Sequence, residues 1–215
     1  MKLVIANKNY SSWSLRPWLL MTEHNLAFEE INVSLAGNDV SKRLSLYSPS
    51  CKVPVLIDEE LTIWDSLAIC EYISEKYLQG KGWPASEPAR ASARSVSAEM
   101  HSSFVGLRSE MPMNIRAKRK VTLSEAAQND VRRIDDIWSD CRQTYQEKGD
   151  WLFGDFSIAD CMFAPVVMRF LTYGADLSDK SRRYIATFLN NVSLNTWITA
   201  AKEETEILPS DEVGE

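Results

Sequence analysis

"CKVPVLIDEELTIWDSLAICEYISEKY", residues 51 to 77, decides how the chain is built, because its hydrophobic pattern changes character partway along. Residues 53 to 57 (VPVLI) and 61 to 64 (LTIW) are short, apolar or alternating, and bounded by polar residues, which is how strands read. From Ser66 to Leu78 the pattern is helical. Nearer the start, LVIA at 3 to 6 and FEEINV at 28 to 33 read as two further strands, with a helix at 14 to 24 between them. An ill-defined polar segment separates the second strand from the third. This mixture predicts a small α/β domain whose sheet carries helices.

"QGKGWPASEP", Gln79 to Pro88, concentrates Gly, Pro and Ser and marks the boundary: a domain over 1–79, a linker over 80–88 and a second domain over 89–215. Everything after the linker reads as helix. Val131, Ile134, Trp138, Cys141 and Tyr145 recur at steps of three or four, giving one long helix an apolar face. Thr122 and Glu125 have the spacing of a capping box at its start, and Ser157 and Asp160 repeat that spacing before the strongly apolar "IADCMFAPVVMRFL". Pro165 inside that helix removes a donor and is expected to bend it.

The 215 residues are 45% hydrophobic, enough to bury about 70% of the surface that the unfolded chain exposes. A formal charge of -6 argues against nucleic acid as a partner. The one basic run, RAKRK at Arg116 to Lys120, lies between helical patterns without interleaved aromatics and reads as a solvated turn. Cys51, Cys70, Cys141 and Cys161 are widely spaced and only His24 and His101 could join them, so neither zinc nor a disulfide framework is expected. A reducing cytoplasm fits that cysteine usage. No leader-like or membrane-length apolar run stands out, and no membrane association is expected.

Behind the strand KLVIA comes "NKNYSSWSLRPWLLM", in which Ser11, Ser12 and Ser14 crowd the start of a helix. Serines there serve as N-caps, or they hold an anion at the positive helix end. YSSWSLRPWLL, CKVPVLID, WDSLAICEYI and DFSIADCMFAPV, in this order and over essentially the whole chain, resemble a cytosolic glutathione transferase of the serine type. The resemblance implies a thioredoxin-like N-terminal domain followed by an all-helical C-terminal domain. It also implies glutathione as co-substrate, a small electrophilic partner substrate, no metal, and a homodimer with its site in the interdomain cleft. Ser11-Ser12 also match the start of the zeta subclass signature, but Trp13 stands where that signature has Cys, which weakens a maleylacetoacetate isomerase reading.

Carried onto this chain, Val53-Pro54 would be a cis turn whose Val53 backbone pairs with the cysteinyl unit of glutathione like an added strand. An ordinary trans proline at a strand's first residue is the alternative. Ser66, with the free amides of its helix start, would take the γ-glutamyl carboxylate, and Asp65 the ammonium; a plain Asp-Ser cap is the alternative. Counting back from His24-Asn25-Leu26 puts Ser11 at the thiol, with Ser12 as the other candidate, Trp13 beside them, and simple capping by all three serines as the remaining reading. A thiol of pKa about 8.5 drops two units for about 2.7 kcal/mol of anion preference, which one hydroxyl donor and a helix terminus supply together. Pro17 is expected within about the first helical turn. Lys52, and less so Lys42, are the cations available to the glycine carboxylate. Cys51, where many relatives have Gly, is either a harmless substitution or a redox thiol. His101, Phe104 and Arg108 recur at i, i+3 and i+7, placing a titratable ring, an aromatic and a cation on one helical face. Such a face suits an apolar electrophile with an acidic group; a core Phe beside a satisfied His and an ion-pairing Arg is the rival. The activities implied are glutathione transfer, glutathione-dependent isomerisation or peroxide reduction, and some proteins of this fold bind partners without catalysis.

Overall fold

The computed structural model describes residues 1–215. β1 (Lys2–Ile5), α1 (Ser12–Glu23) and β2 (Glu29–Asn32) are followed by α2 (Val40–Ser45), β3 (Val55–Asp58), β4 (Leu61–Trp64) and α3 (Ser66–Tyr77). The four strands form one sheet in the order β2-β1-β3-β4. β1 pairs with β2 in parallel and with β3 antiparallel, and β3 pairs antiparallel with β4. This is the thioredoxin-like arrangement. Leu3, Val4 and Ile5 are fully buried, as a continuous apolar run in a central strand requires, whereas β2 and β4 are largely exposed edges. α1 and α3 pack on each other. α2 accounts for the segment that had no clear pattern: only Leu44 of its six residues is buried, joining Val4, Val33 and Val55, so no periodicity can develop.

After α3 the chain is helical: α4 (Glu87–Ser102), α5 (Val105–Glu110), α6 (Glu125–Tyr145), α7 (Ile158–Tyr173), α8 (Asp179–Leu189) and α9 (Val192–Glu203). Every residue of α7 except Leu171 is buried, and α7 packs against α1 and α4. One core cluster runs from Leu3 and Leu15 through Ile73 to Phe163 and Trp197, so the sheet and the bundle share an interior. No helix is long and apolar enough to cross a membrane.

Several expectations change. α1 begins at Ser12, so Pro17 is its sixth residue instead of lying in the first turn; the missing N–H therefore leaves the Trp13 carbonyl without its intrahelical donor. The capping box expected at Thr122 and Glu125 is replaced by a cap at Ser124, whose Oγ accepts from Ala127 N at 3.3 Å. Glu110 fixes that choice by accepting from both Ser124 N and Ser124 Oγ. The second box does form, with the Asp160 carboxylate accepting from Ser157 N at 2.9 Å. β3 starts at Val55 because the Val53-Pro54 bond before it is cis.

RAKRK is also not a merely solvated turn. Arg116 donates to Tyr10 Oη and to the carbonyls of Glu204 and Glu206, Arg119 donates to Glu212 at 2.6 Å, and Lys120 exchanges both backbone hydrogen bonds with Glu215. The basic run is the bed on which the acidic segment after α9 lies. Charge run meets charge run, and each hides the other from a reading of either alone.

Candidate active site

Register brings three loops to one end of the sheet. Val4 faces Val55 and Val55 faces Trp64, with β3 antiparallel to both neighbours. The end of β1, the Val53-Pro54 turn before β3 and Asp65-Ser66 after β4 therefore emerge together. Pro54 is buried, Val53 half-buried and Lys52 exposed; Lys42 is exposed on α2. Cys51 is half-buried at φ 52, with its thiol nearest the Pro49 carbonyl at 3.8 Å.

From β1 the chain makes a buried loop, Asn7 to Tyr10, closed by Ser11 N donating to Asn7 O at 3.0 Å. Ser11 occupies the N-cap position of α1, but its side chain makes no capping bond. Instead Ser11 Oγ and Ser14 Oγ lie 2.7 Å apart, and Ser14 Oγ accepts from Ala6 N at 3.2 Å. Hydroxyl protons rotate to suit their neighbours. Ser11 Oγ donates to Ser14 Oγ, which accepts from Ala6 N–H as well, so the Ser11 proton rests on Ser14 and meets an anion by rotating about its own C–O bond. Ser12 Oγ accepts from Arg169 Nη2 at 3.2 Å, which leaves its own proton able to donate. Both hydroxyl residues are 6% exposed, so an anion there is shielded from water.

Asp65 sits at φ 77, a left-handed conformation strained for a residue with a Cβ, and its Oδ1 accepts from Leu67 N at 2.9 Å and Ala68 N at 3.2 Å. Its Oδ2 lies 3.0 Å from His101 Nε2. Behind it, Arg16 donates to Ser66 Oγ at 3.2 Å and reaches His101 Nδ1 at 3.4 Å. A guanidinium has only donors, so Nδ1 must accept and the His101 proton must be on Nε2, facing Asp65. Burial holds the His101 pKa below its usual value; Asp65 opposes this, while Arg16 and Arg108 add to it. His101 is thus a neutral bridge between the two domains. Because its folded pKa lies below the unfolded value of about 6.5, the unfolded chain takes up the proton first, and the stability contribution is full above about pH 6.5 and lost as pH falls through the folded pKa. Acidification from pH 7 should therefore lower the melting temperature of the native protein relative to that of His101→Gln; equal slopes in variant and native protein would refute the bridge. His24, also lowered chiefly by burial, contributes in the same direction in both proteins.

Trp13 is enclosed by cations. The Arg16 guanidinium lies 4.3 Å and that of Arg108 4.8 Å from its ring centroid, and the His101 ring meets it edge-on at 5.4 Å. Arg108 spends its donors on the Ser103 and Met100 carbonyls, and Arg169 on those of Met111 and Arg108 besides Ser12. None of the three arginines has a carboxylate partner within ion-pairing distance. Burial, reinforced by the neighbouring arginines, lowers the Arg16 pKa to about 9 and that of Arg169 to about 10. The cluster is a concentrated positive field around the start of α1.

His101, Phe104 and Arg108 do not share one helical face. α4 stops at Ser102, Phe104 takes the left-handed conformation at φ 64, and α5 begins at Val105. The break turns Phe104 into the core, where it is buried, while His101 and Arg108 both reach Trp13. Arg16 and Arg169 were not among the expected site residues. Each is a single cation in a helix whose other buried residues are almost all uncharged, and that isolation was the available signal. No group of His, Cys, Asp and Glu side chains is placed to hold a metal ion. A cavity of about 1040 Å³ between α3, α4 and the loop before α7 contains none of these residues. Its wall includes Glu71 paired with Trp83 and Arg94, and two of its hydroxyls serve the fold, Ser74 accepting from Gly82 N and Ser157 donating to Asp160; the serine turn, with three arginines beside it, is the better candidate.

A family profile described as "Glutathione S-transferase, N-terminal domain" matches residues 10–76. The dichloromethane dehalogenase of Methylophilus leisingeri is 37% identical over 65 residues, 29% of this chain and 24% of that protein. The chain thus aligns with only about a quarter of that enzyme. A stringent starvation protein A homolog from Pasteurella multocida is 23% identical over 174 residues, 81% of this chain and 77% of that protein. Among solved structures, a glutathione transferase homolog from Burkholderia GL BGR1 with bound glutathione superposes with a TM-score of 0.71 at 24% identity, covering 94% of this chain and 98% of that one.

Proposed function

We propose, for a chain whose residues 10–76 belong to the glutathione S-transferase N-terminal domain family and whose full length takes the cytosolic glutathione transferase fold, that it binds reduced glutathione and activates its thiol. Ser11 donates to the sulfur, assisted by the helix start and by the positive field of Arg16, Arg108 and Arg169. Val53 pairs with the cysteinyl backbone, and Ser66 and Asp65 take the γ-glutamyl end. Ser12 and Trp13 line the thiol, and Lys52 meets the glycine carboxylate. The observation that carries the reading is the place of Ser11, a buried hydroxyl at the start of α1 that makes no capping bond and whose proton is held only by the neighbouring Ser14 Oγ, beside the unpaired guanidinium groups of Arg16, Arg108 and Arg169. The thiol proton passes to solvent, and the thiolate forms a C–S bond at an electrophilic carbon. The leaving group departs with its bonding pair or, in an addition, the π pair moves to the adjacent electron-withdrawing group and is protonated from solvent; proximity and desolvation supply the rate.

For the second substrate the reading favours an electrophile with an acidic group beside Trp13, His101 and Arg108. Phe104 drops out, being buried in the core. Product analysis separates transfer, which consumes glutathione, from isomerisation, which returns it. The setting is a compartment reducing enough to keep glutathione as thiol. A pair of identical subunits is implied by the resemblance alone, and sedimentation would test it.

One observation favours a second reading without catalysis: both serine hydroxyls are already engaged, Ser11 with Ser14 and Ser12 with Arg169. A melting experiment comes first. Glutathione at 100 times its dissociation constant stabilises a binding protein by about 2.7 kcal/mol, or about 5–11 °C for a chain of this length. No shift at any glutathione concentration up to 10 mM, taken as roughly 100-fold above a Kd of about 0.1 mM, would remove glutathione from the account.

A further inference from the structure

We infer that Glu204, in the segment following α9, is a positioning residue for Ser11, holding the loop that presents the serine by gripping two consecutive backbone amides. Lys8 N donates to Glu204 Oε1 at 2.7 Å and Asn9 N to Glu204 Oε2 at 2.9 Å. This inference rests on the thiolate reading above.

The loop from Asn7 to Ser11 is a single turn closed by Ser11 N on Asn7 O. The amides of Lys8 and Asn9, in the middle of that turn, are buried, and a buried amide needs a partner. One carboxylate, 195 and 196 positions away, satisfies both. The residues on either side are held from the same direction. Asn7 Nδ2 donates to the Glu206 carboxylate, Lys8 O accepts from Trp197 Nε1 at 2.9 Å, and Tyr10 Oη donates to Glu212. Arg116 locks the clamp by donating to the carbonyls of both Glu204 and Glu206. Glu204 touches no reacting atom; it sets where Ser11 stands.

Positioning and charge make opposite predictions. If Glu204 acted only through its negative charge, removing that charge would make the nearby thiolate easier to form. If it acts by fixing the loop, Glu204→Gln, which retains one acceptor and opposes an amide with its NH₂, loosens Ser11 and makes the thiolate harder to form. The experiment titrates the ultraviolet absorbance of bound glutathione thiolate in native protein, Glu204→Gln and Arg116→Lys. It is paired with hydrogen exchange at the Lys8 and Asn9 amides and with affinity for S-methylglutathione, which has no thiol to activate.

The clamp predicts a thiolate pKa higher by about one unit in Glu204→Gln and a kcat/KM lower by about 10-fold, with a smaller change of the same sign in Arg116→Lys. S-methylglutathione affinity should stay within about 2-fold, and Lys8 and Asn9 amide protection should drop by at least about 10-fold in Glu204→Gln. An unchanged or lowered thiolate pKa overturns the proposal, and so do freely exchanging Lys8 and Asn9 amides in the native protein, whether or not the variants fold. If the native protein binds glutathione without forming thiolate, the Ser11 reading fails and this one with it; if thiolate forms and the variants leave its pKa alone, only the positioning role fails.

Discussion

Ser11→Ala is expected to raise the pKa of bound glutathione by about 1–2 units and to cut kcat/KM by about 10- to 100-fold, with the fold intact. A hydrogen bond to a charged acceptor is worth about 1.5–3 kcal/mol, and each pKa unit corresponds to about 1.36 kcal/mol. Ser11 Oγ donates to Ser14 Oγ in the free protein and turns that proton to the sulfur when glutathione is bound, so its loss leaves the sulfur facing a methyl group. Ser14→Ala should leave the pKa of bound glutathione unchanged or lower it slightly, because it removes the oxygen that competes with the sulfur for the Ser11 proton. Ser12→Ala is the decisive control. Its hydroxyl is backed by the Arg169 guanidinium, and a larger effect there than at Ser11 would move the thiolate donor one residue along the helix. Absorbance titration of the bound thiol reads all three variants on one scale.

The second large effect falls on stability. Asp160 is buried at the start of α7 and accepts four hydrogen bonds: Leu152 N at 3.1 Å, Ser157 N at 2.9 Å, Ser157 Oγ at 3.0 Å and Tyr184 Oη at 2.8 Å. Burial pushes its pKa up to about 6, with the hydrogen bonds from Leu152, Tyr184 and Ser157 opposing. That folded pKa lies above the unfolded carboxylate value of about 3.9, so this group's contribution is greatest below about pH 4 and declines as pH rises to about 6. Asp160→Asn removes that penalty but replaces one acceptor oxygen with an NH₂ that faces donors. Leaving two buried donors unsatisfied costs about 3 kcal/mol, which at pH 7 is offset by the removed penalty of about two pKa units; at pH 4, where native Asp160 is protonated in the fold, the cost stands alone and lowers the melting temperature by about 6–12 °C. Tyr184→Phe, which removes a single donor, should cost about 1 kcal/mol. A melting point for Asp160→Asn within about 1 °C of native at pH 4 would show that the box is not holding α7.

Much of the architecture was legible because it rests on local patterns. Four apolar runs became four strands, the cis bond fell at Val53-Pro54, and Ser157 with Asp160 formed the second box. What was hidden depended on distant residues or on the helix phase. Ser124 displaced Thr122 as a cap because Glu110, 14 residues earlier, holds it. The spacing of His101, Phe104 and Arg108 assumed an unbroken helix, and a single left-handed residue, Phe104, invalidated the arithmetic while still delivering two of the three to Trp13. Ser11, Ser12, Asp65 and Ser66 were singled out by their motifs, and the strand register places them at one end of the sheet. Arg16, Arg169 and Glu204 carry no motif, since their roles exist only once α1, α7 and the last segment meet.

The partners of residues 7–10 also bear on when the protein becomes competent during its own synthesis. Asn9 meets Asn114 across 105 positions and Tyr10 meets Glu212 across 202. The strands need only the first 64 residues and can pair as soon as those leave the ribosome. At ordinary elongation rates the serine turn then waits on the order of ten seconds for the last segment to be released. A nascent chain that has not reached residue 212 would thus hold its sheet without the contacts that fix residues 7–10.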